Sequence, residues 1–77
     1  MKASHMNIMV LKTDIKTRKK VNKIRPILNH HPIIRRWTVD TQDIDNVLRI
    51  ESNTELTEAV VIQLLRSIGF YGEALPD

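Results

Sequence analysis

Between positions 56 and 68 apolar residues recur at every third or fourth place, and no other stretch restricts the fold as tightly. At about 100° per residue, Leu56, Val60, Leu64 and Ile68 form one stripe, flanked by Val61 and Leu65, with Glu58 and Arg66 opposite. Ile62 is the one large apolar residue expected on the polar side. The Ser52-x-x-Glu55 spacing predicts a capping box at the start of this helix, and Gly69 a left-handed residue at its end. Such a helix must lay its apolar stripe on another element, so the rest of the chain has to supply a partner surface.

That surface reads as a small sheet. Residues 7–12 form a short apolar run with β-branched content and predict a first strand. A second helical stripe follows, carried by Val21, Ile24 and Leu28 and capped by Asp14 or Thr17. Pro26 lies inside it and predicts a kinked or frayed last turn, because proline removes a helical hydrogen bond. Residues 33–40, with Trp37 and Val39 on one face, and residues 47–51 predict a β-hairpin about the polar turn 41–46. Residues 70–75 give a short last strand. The order is β-α-β-β-α-β, which predicts an α+β, ferredoxin-like fold: a four-stranded antiparallel sheet with both helices on one face. Seventy-seven residues suffice for one small domain. Residues 1–5 read as an appended leader, and 6–77 as the single domain.

Composition narrows the chemistry. There is no cysteine, which excludes disulfides, thiolate metal sites and thiol catalysis. No apolar run approaches the roughly 20 residues of a membrane span, and no secretory signal is evident, so a cytoplasmic protein with no membrane partner is expected. The net charge of +3 conceals a segregation. Residues 12–36 hold nine Lys/Arg against one acid, whereas residues 40–77 hold eight acids against two arginines. No glycine-rich phosphate loop or paired carboxylate and base is present, so the chain is expected to be no enzyme and to carry no cofactor.

Three segments in this order and spacing carry a resemblance: Val21-Asn22-Lys23-Ile24 opening the first helix, Trp37-Thr38-Val39-Asp40 ending the second strand, and Leu64-Leu65-Arg66-Ser67-Ile68-Gly69-Phe70 leading into the last. Across nearly all of residues 7–75 the chain resembles a heavy-metal-associated domain, the fold of small copper chaperones and of the N-terminal modules of metal-pumping ATPases. The resemblance implies a Gly-Met-x-Cys-x-x-Cys metal motif just before the first helix. Here that motif falls on Asp14-Ile15-Lys16-Thr17-Arg18-Lys19-Lys20. Ile15 stands for the core-facing methionine, and Thr17 and Lys20 occupy the two cysteine positions. A threonine hydroxyl is a poor ligand for soft metals and a protonated lysine has no lone pair, so the missing Cys-x-x-Cys motif implies a lost metal site. Phe70 falls where the family places an aromatic beside the metal loop and is expected to plug that end of the core.

What remains at that end is positive charge. Lys16, Arg18, Lys19, Lys20 and Lys23 crowd a helix N-terminus, where the peptide dipoles favour acids, and Lys16/Lys20 and Lys19/Lys23 are like charges at i, i+4. Asp40, Asp43 and Asp45 are expected across from them, as turn residues that partly offset the charge. The cluster suits an acidic protein partner, met by a monomer through the loop between the first strand and first helix. The family uses that same end to meet partner domains. Metal handling through His, Asp or Met9 ligands is the alternative. Adjacent His30 and His31 read better as a solvated helix end, and the Asp40-x-x-Asp43-x-Asp45 spacing lacks the glycine and distal glutamate of a calcium loop. Nucleic-acid binding is the weaker third reading, because Trp37, Phe70 and Tyr71 are the only aromatics and Trp37 is expected in the core.

Overall fold

A computed structural model describes residues 7–52 and 56–75. The elements run β1 (Asn7–Thr13), α1 (Arg18–His30), β2 (Ile34–Val39), β3 (Leu48–Ser52), α2 (Glu58–Ser67) and β4 (Gly72–Ala74). All four strands join one antiparallel sheet of order β2-β3-β1-β4, the ferredoxin-like arrangement expected from the element order. Strand alternation then divides the side chains. Met9, Leu11, Thr13, Trp37, Val39, Leu48 and Ile50 face the helices, and the buried core is Leu11, Ile15, Ile24, Leu28, Leu48, Ile50, Val61, Leu65 and Phe70. The other face bears Ile8, Val10 and Lys12 from β1, Arg49 and Glu51 from β3, Arg36 and Thr38 from β2, and Glu73 from β4.

Helix α1 begins where Thr17 turns from extended backbone and its Oγ1 accepts from Lys20 N at 3.1 Å. Asp14 therefore does not cap it. The helix continues through Pro26 to His30, and Leu28, beyond the proline, is buried. Pro26 and Asn22, whose carbonyl loses its helical donor, both lie on the exposed side, so the freed oxygen is open to solvent instead of buried.

Helix α2 departs from the sequence reading in three respects. Ser52 ends β3 and is buried, so the cap is Thr57, whose Oγ1 accepts from Val60 N at 3.3 Å. Residues 53–55, including the Glu55 of the expected capping box, lie outside the described residues. The inward stripe is also rotated. Val61 and Leu65 are buried, Leu64 and Ile68 are half-buried flanks, and Val60 is 43% exposed. Two apolar sets spaced i, i+4 stood side by side, and the C-terminal geometry decides between them. Phe70 N donates to Leu65 O at 2.8 Å and Gly69 N to Arg66 O at 3.0 Å, with Gly69 at φ +87°. This Schellman ending folds Phe70 back onto Leu65 and turns their side of the helix into the core. Ile62 is the third. It is half-buried against the core above Gly72, not an outlier on the polar side.

Candidate loop-end site

Thr13 draws two loops together. Its buried Oγ1 donates to Asn46 O at 2.5 Å and accepts from Ile15 N at 3.1 Å, while its own N–H donates to Asp45 O at 3.0 Å. The β1–α1 loop is thereby fixed to the β2–β3 turn. Asn46 takes a positive φ of 45° to present its carbonyl, a conformation asparagine tolerates. Asp14 fastens the third loop, its Oδ1 accepting from Tyr71 N at 2.9 Å across 57 residues of sequence. Ile15 between these anchors is fully buried, the core-facing position that the resemblance implied for it, and Phe70 closes the core beneath.

One change separates the buried bridge from its packing. Thr13→Val keeps shape and strand preference but leaves Asn46 O and Ile15 N without partners. A loss of about 1–3 kcal/mol is expected, read in urea as a lower midpoint at unchanged slope.

On this frame sit the predicted cations. Lys16, Arg18, Lys19, Lys20 and Lys23 are all exposed, and none forms an ion pair with a described residue. The first turn of α1 contains no acid. Within the helix Lys19/Lys23 at i, i+4 and Lys20/Lys23 at i, i+3 are like-charge neighbours, whereas Lys16 precedes the cap. The acids of the β2–β3 turn are occupied elsewhere. Asp40 Oδ1 accepts from Gln42 N at 3.1 Å and Asp43 N at 3.2 Å, Asp43 Oδ1 accepts from Asp45 N at 2.8 Å, and Asp45 pairs with Lys12 at 3.7 Å. They organise the turn and leave the α1 cations unpaired among the described residues.

Thr17 and Lys20, the two positions that the resemblance sets against cysteines, meet directly. Thr17 Oγ1 is the acceptor and Lys20 N the donor of the α1 cap, so the Thr17 hydroxyl is already engaged by the backbone of Lys20. No group of three or more His, Cys, Asp or Glu suited to a metal ion occurs among the described residues. His31 Nδ1 accepts from Ile33 N at 3.3 Å in the α1–β2 turn, His30 is exposed, and Met9 packs against the core. Trp37 is half-buried, not enclosed. Its ring packs against the core while Nε1 donates to Asn29 Oδ1 at 2.8 Å and the Arg25 guanidinium lies 5.5 Å from the ring centroid.

Two apolar side chains at this end were not anticipated as surface features. Ile44, in the β2–β3 turn, is 93% exposed, and Tyr71, in the α2–β4 loop, is 50% exposed. The Tyr71 hydroxyl donates to Glu73 Oε1, and this hydrogen bond, with a smaller desolvation and the carboxylate's charge, raises the phenol above its ordinary range. Beside Tyr71 a hollow of about 530 Å3 is lined by Asp14, Ile62, Arg66 and Phe70. Sequence periodicity could not place these groups together, because their proximity depends on loop-to-loop hydrogen bonds.

No family model matches the chain. No curated protein matches it. A solved structure described as "Crosstalk between Cu(I) and Zn(II) homeostasis" is similar with a TM-score of 0.75 and 11% identity, covering 90% of this chain and 99% of that one. At that identity the likeness is one of fold. No helix among the described residues is long and apolar enough to cross a membrane.

Proposed function

We propose that this chain is a non-enzymatic, heavy-metal-associated-like domain that has lost its family's metal site and serves as a docking module. Its contact surface is the loop end bearing Lys16, Arg18, Lys19, Lys20 and Lys23, and its partner is an acidic protein surface. The observation that carries this reading is the Thr17–Lys20 cap: at the two ligand positions stand a hydroxyl already hydrogen-bonded and a cation. Unpaired cations on a frame fixed by Thr13 and Asp14 support attraction to an anionic surface. The exposed Ile44 and Tyr71 add apolar contact area at the same end.

Metal handling is the second reading, favoured by the fold likeness to a protein described in terms of Cu(I) and Zn(II) homeostasis. Nucleic-acid binding has less support. The open sheet face offers bases no aromatic platform from any of its described strand positions, since Trp37 faces the helices.

An amide-resolved NMR titration separates these readings. Poly-L-glutamate is expected to shift amides of residues 14–23, with the shifts fading as salt rises and lost in the Lys19→Glu, Lys20→Glu double variant. Cu(I) and Zn(II) are expected to leave the spectrum unchanged. Saturable metal-induced shifts near His30, His31, Met9 or the Asp40–Asp45 turn would establish the metal reading instead. A short oligonucleotide that outcompetes poly-L-glutamate would establish the third.

A further inference from the structure

The sheet order leaves β2 at one margin. A marginal strand keeps one row of backbone N–H and C=O groups for solvent or for another chain. Along it runs an open depression of about 450 Å3, lined by Val21, Arg25 and Asn29 of α1 and by Arg36, Trp37 and Val39 of β2. Trp37 and Val39 face the helices, whereas Arg36 belongs to the opposite face. A hollow reached by side chains of both parities follows the outer edge of its strand. A smaller hollow of about 160 Å3 shares Val21, Arg25 and Val39 with it and extends to Arg18 and Thr41.

The chemistry of this edge is one-sided. No acid lines either hollow, and the sequence contains none between Asp14 and Asp40. Charge on a margin strand, like the register break between Ile34 and Arg36, discourages pairing with neutral or basic strands. The same charge attracts an acidic one. The floor of the groove is already arranged: Asn29 holds the Trp37 indole, Arg25 lies over its ring, and Asn22 Oδ1 accepts from Arg25 Nε at 3.4 Å and Nη2 at 3.3 Å. A ligand that meets ordered side chains loses less conformational entropy on binding.

We infer that the β2 edge and the α1–β2 groove bind an extended acidic peptide, which adds to the sheet as a further strand. Its alternate apolar side chains lie on Val21, Trp37 and Val39, its carboxylates on the opposite face meet Arg36, and Arg18 and Arg25 add electrostatic attraction from the α1 side. This surface adjoins the loop end at Arg18 and does not depend on the docking proposed there. A single strand of RNA fits less well, because Trp37 is half-buried beneath Arg25 and no other aromatic lines the groove.

Trp37 is the only tryptophan, so its fluorescence reports on the groove. A short synthetic peptide alternating Glu and Val is expected to change that fluorescence saturably and to slow hydrogen exchange of β2 amides in the unaltered chain. Proline at a central Val removes a backbone donor and is expected to weaken binding about tenfold or more. Arg36→Glu should weaken it by about tenfold or more, as expected for truncating or reversing one partner of a close charge pair. The Lys19→Glu, Lys20→Glu variant should stay within about threefold, given screening over roughly 8 Å at physiological salt. Circular dichroism melts establish that each variant is folded. Equal binding of the peptide and its proline form would overturn the inference. So would tighter binding of oligouridylate, or loss of binding on reversing Lys19 and Lys20 but not Arg36.

Discussion

Thr17→Cys combined with Lys20→Cys is expected to convert this chain into a Cu(I)-binding protein of roughly micromolar affinity or tighter, measured by competition against a chelator of known affinity. The two positions are the cap and third residue of α1, joined by a 3.1 Å hydrogen bond, so two thiols placed there share the exposed first turn. The helix dipole and the neighbouring Lys16, Arg18 and Lys19 lower thiol pKa values and supply thiolate near neutral pH. Losing the threonine cap costs about 1 kcal/mol, which metal ligation offsets. Either single substitution should bind far more weakly, because one thiolate cannot chelate. If the double variant binds no Cu(I), the surviving cations repel the ion more strongly than thiolates attract it. If the unaltered chain binds as tightly as the double variant, the proposed loss of the site is wrong.

The largest loss of stability is expected from Leu65→Ala. Leu65 is 1% exposed, contacts the core from α2 and sits over Gly72 of β4. Leucine-to-alanine changes in packed cores cost about 2–5 kcal/mol, and small domains often have only about 5 kcal/mol in total. About 0–3 kcal/mol would remain, so up to roughly half the molecules unfold in dilute buffer, read by circular dichroism and urea titration. The geometry also specifies a partial rescue. A Cβ at Gly72 would lie 2.8 Å from Leu65 Cδ1, so Gly72→Ala alone crowds the leucine and should destabilise by about 1–3 kcal/mol. In the Leu65→Ala background the same methyl enters vacated space and should stabilise. The double-mutant cycle therefore predicts a coupling of about 1–3 kcal/mol between the two positions. Additive losses would show that β4 and α2 move apart instead of collapsing onto the cavity.

Element order was legible in the sequence because each element advertises its own period. Val21, Ile24 and Leu28 repeat as a helix, and the runs about Trp37 and Ile50 alternate or cluster as strands. Which side of α2 faces inward was not legible, since Val60/Leu64 and Val61/Leu65 are equally apolar and equally spaced. A turn beyond the helix, at Gly69 and Phe70, breaks that tie. Thr57 does not stand out in the sequence as a cap, because Ser52 and Glu55 make the stronger local pattern. At the site, the cations could be read from the sequence, and the resemblance set Thr17 and Lys20 where a metal motif would hold cysteines. Thr13 and Asp14 could not, as they act on Asn46 and Tyr71, residues 33 and 57 positions away. Pairings at that range leave no period behind.

The fastening of the loops by Thr13 and Asp14 has a kinetic meaning. Opening the β1–α1 loop alone would strand the hydroxyl of a buried threonine and release Tyr71 N and Asp45 O together. Fluctuations at this end are therefore cooperative: the loops open as one unit of local unfolding or remain closed. A visiting surface then meets a single stiff shape, and selection among visitors rests on fit, not on remoulding.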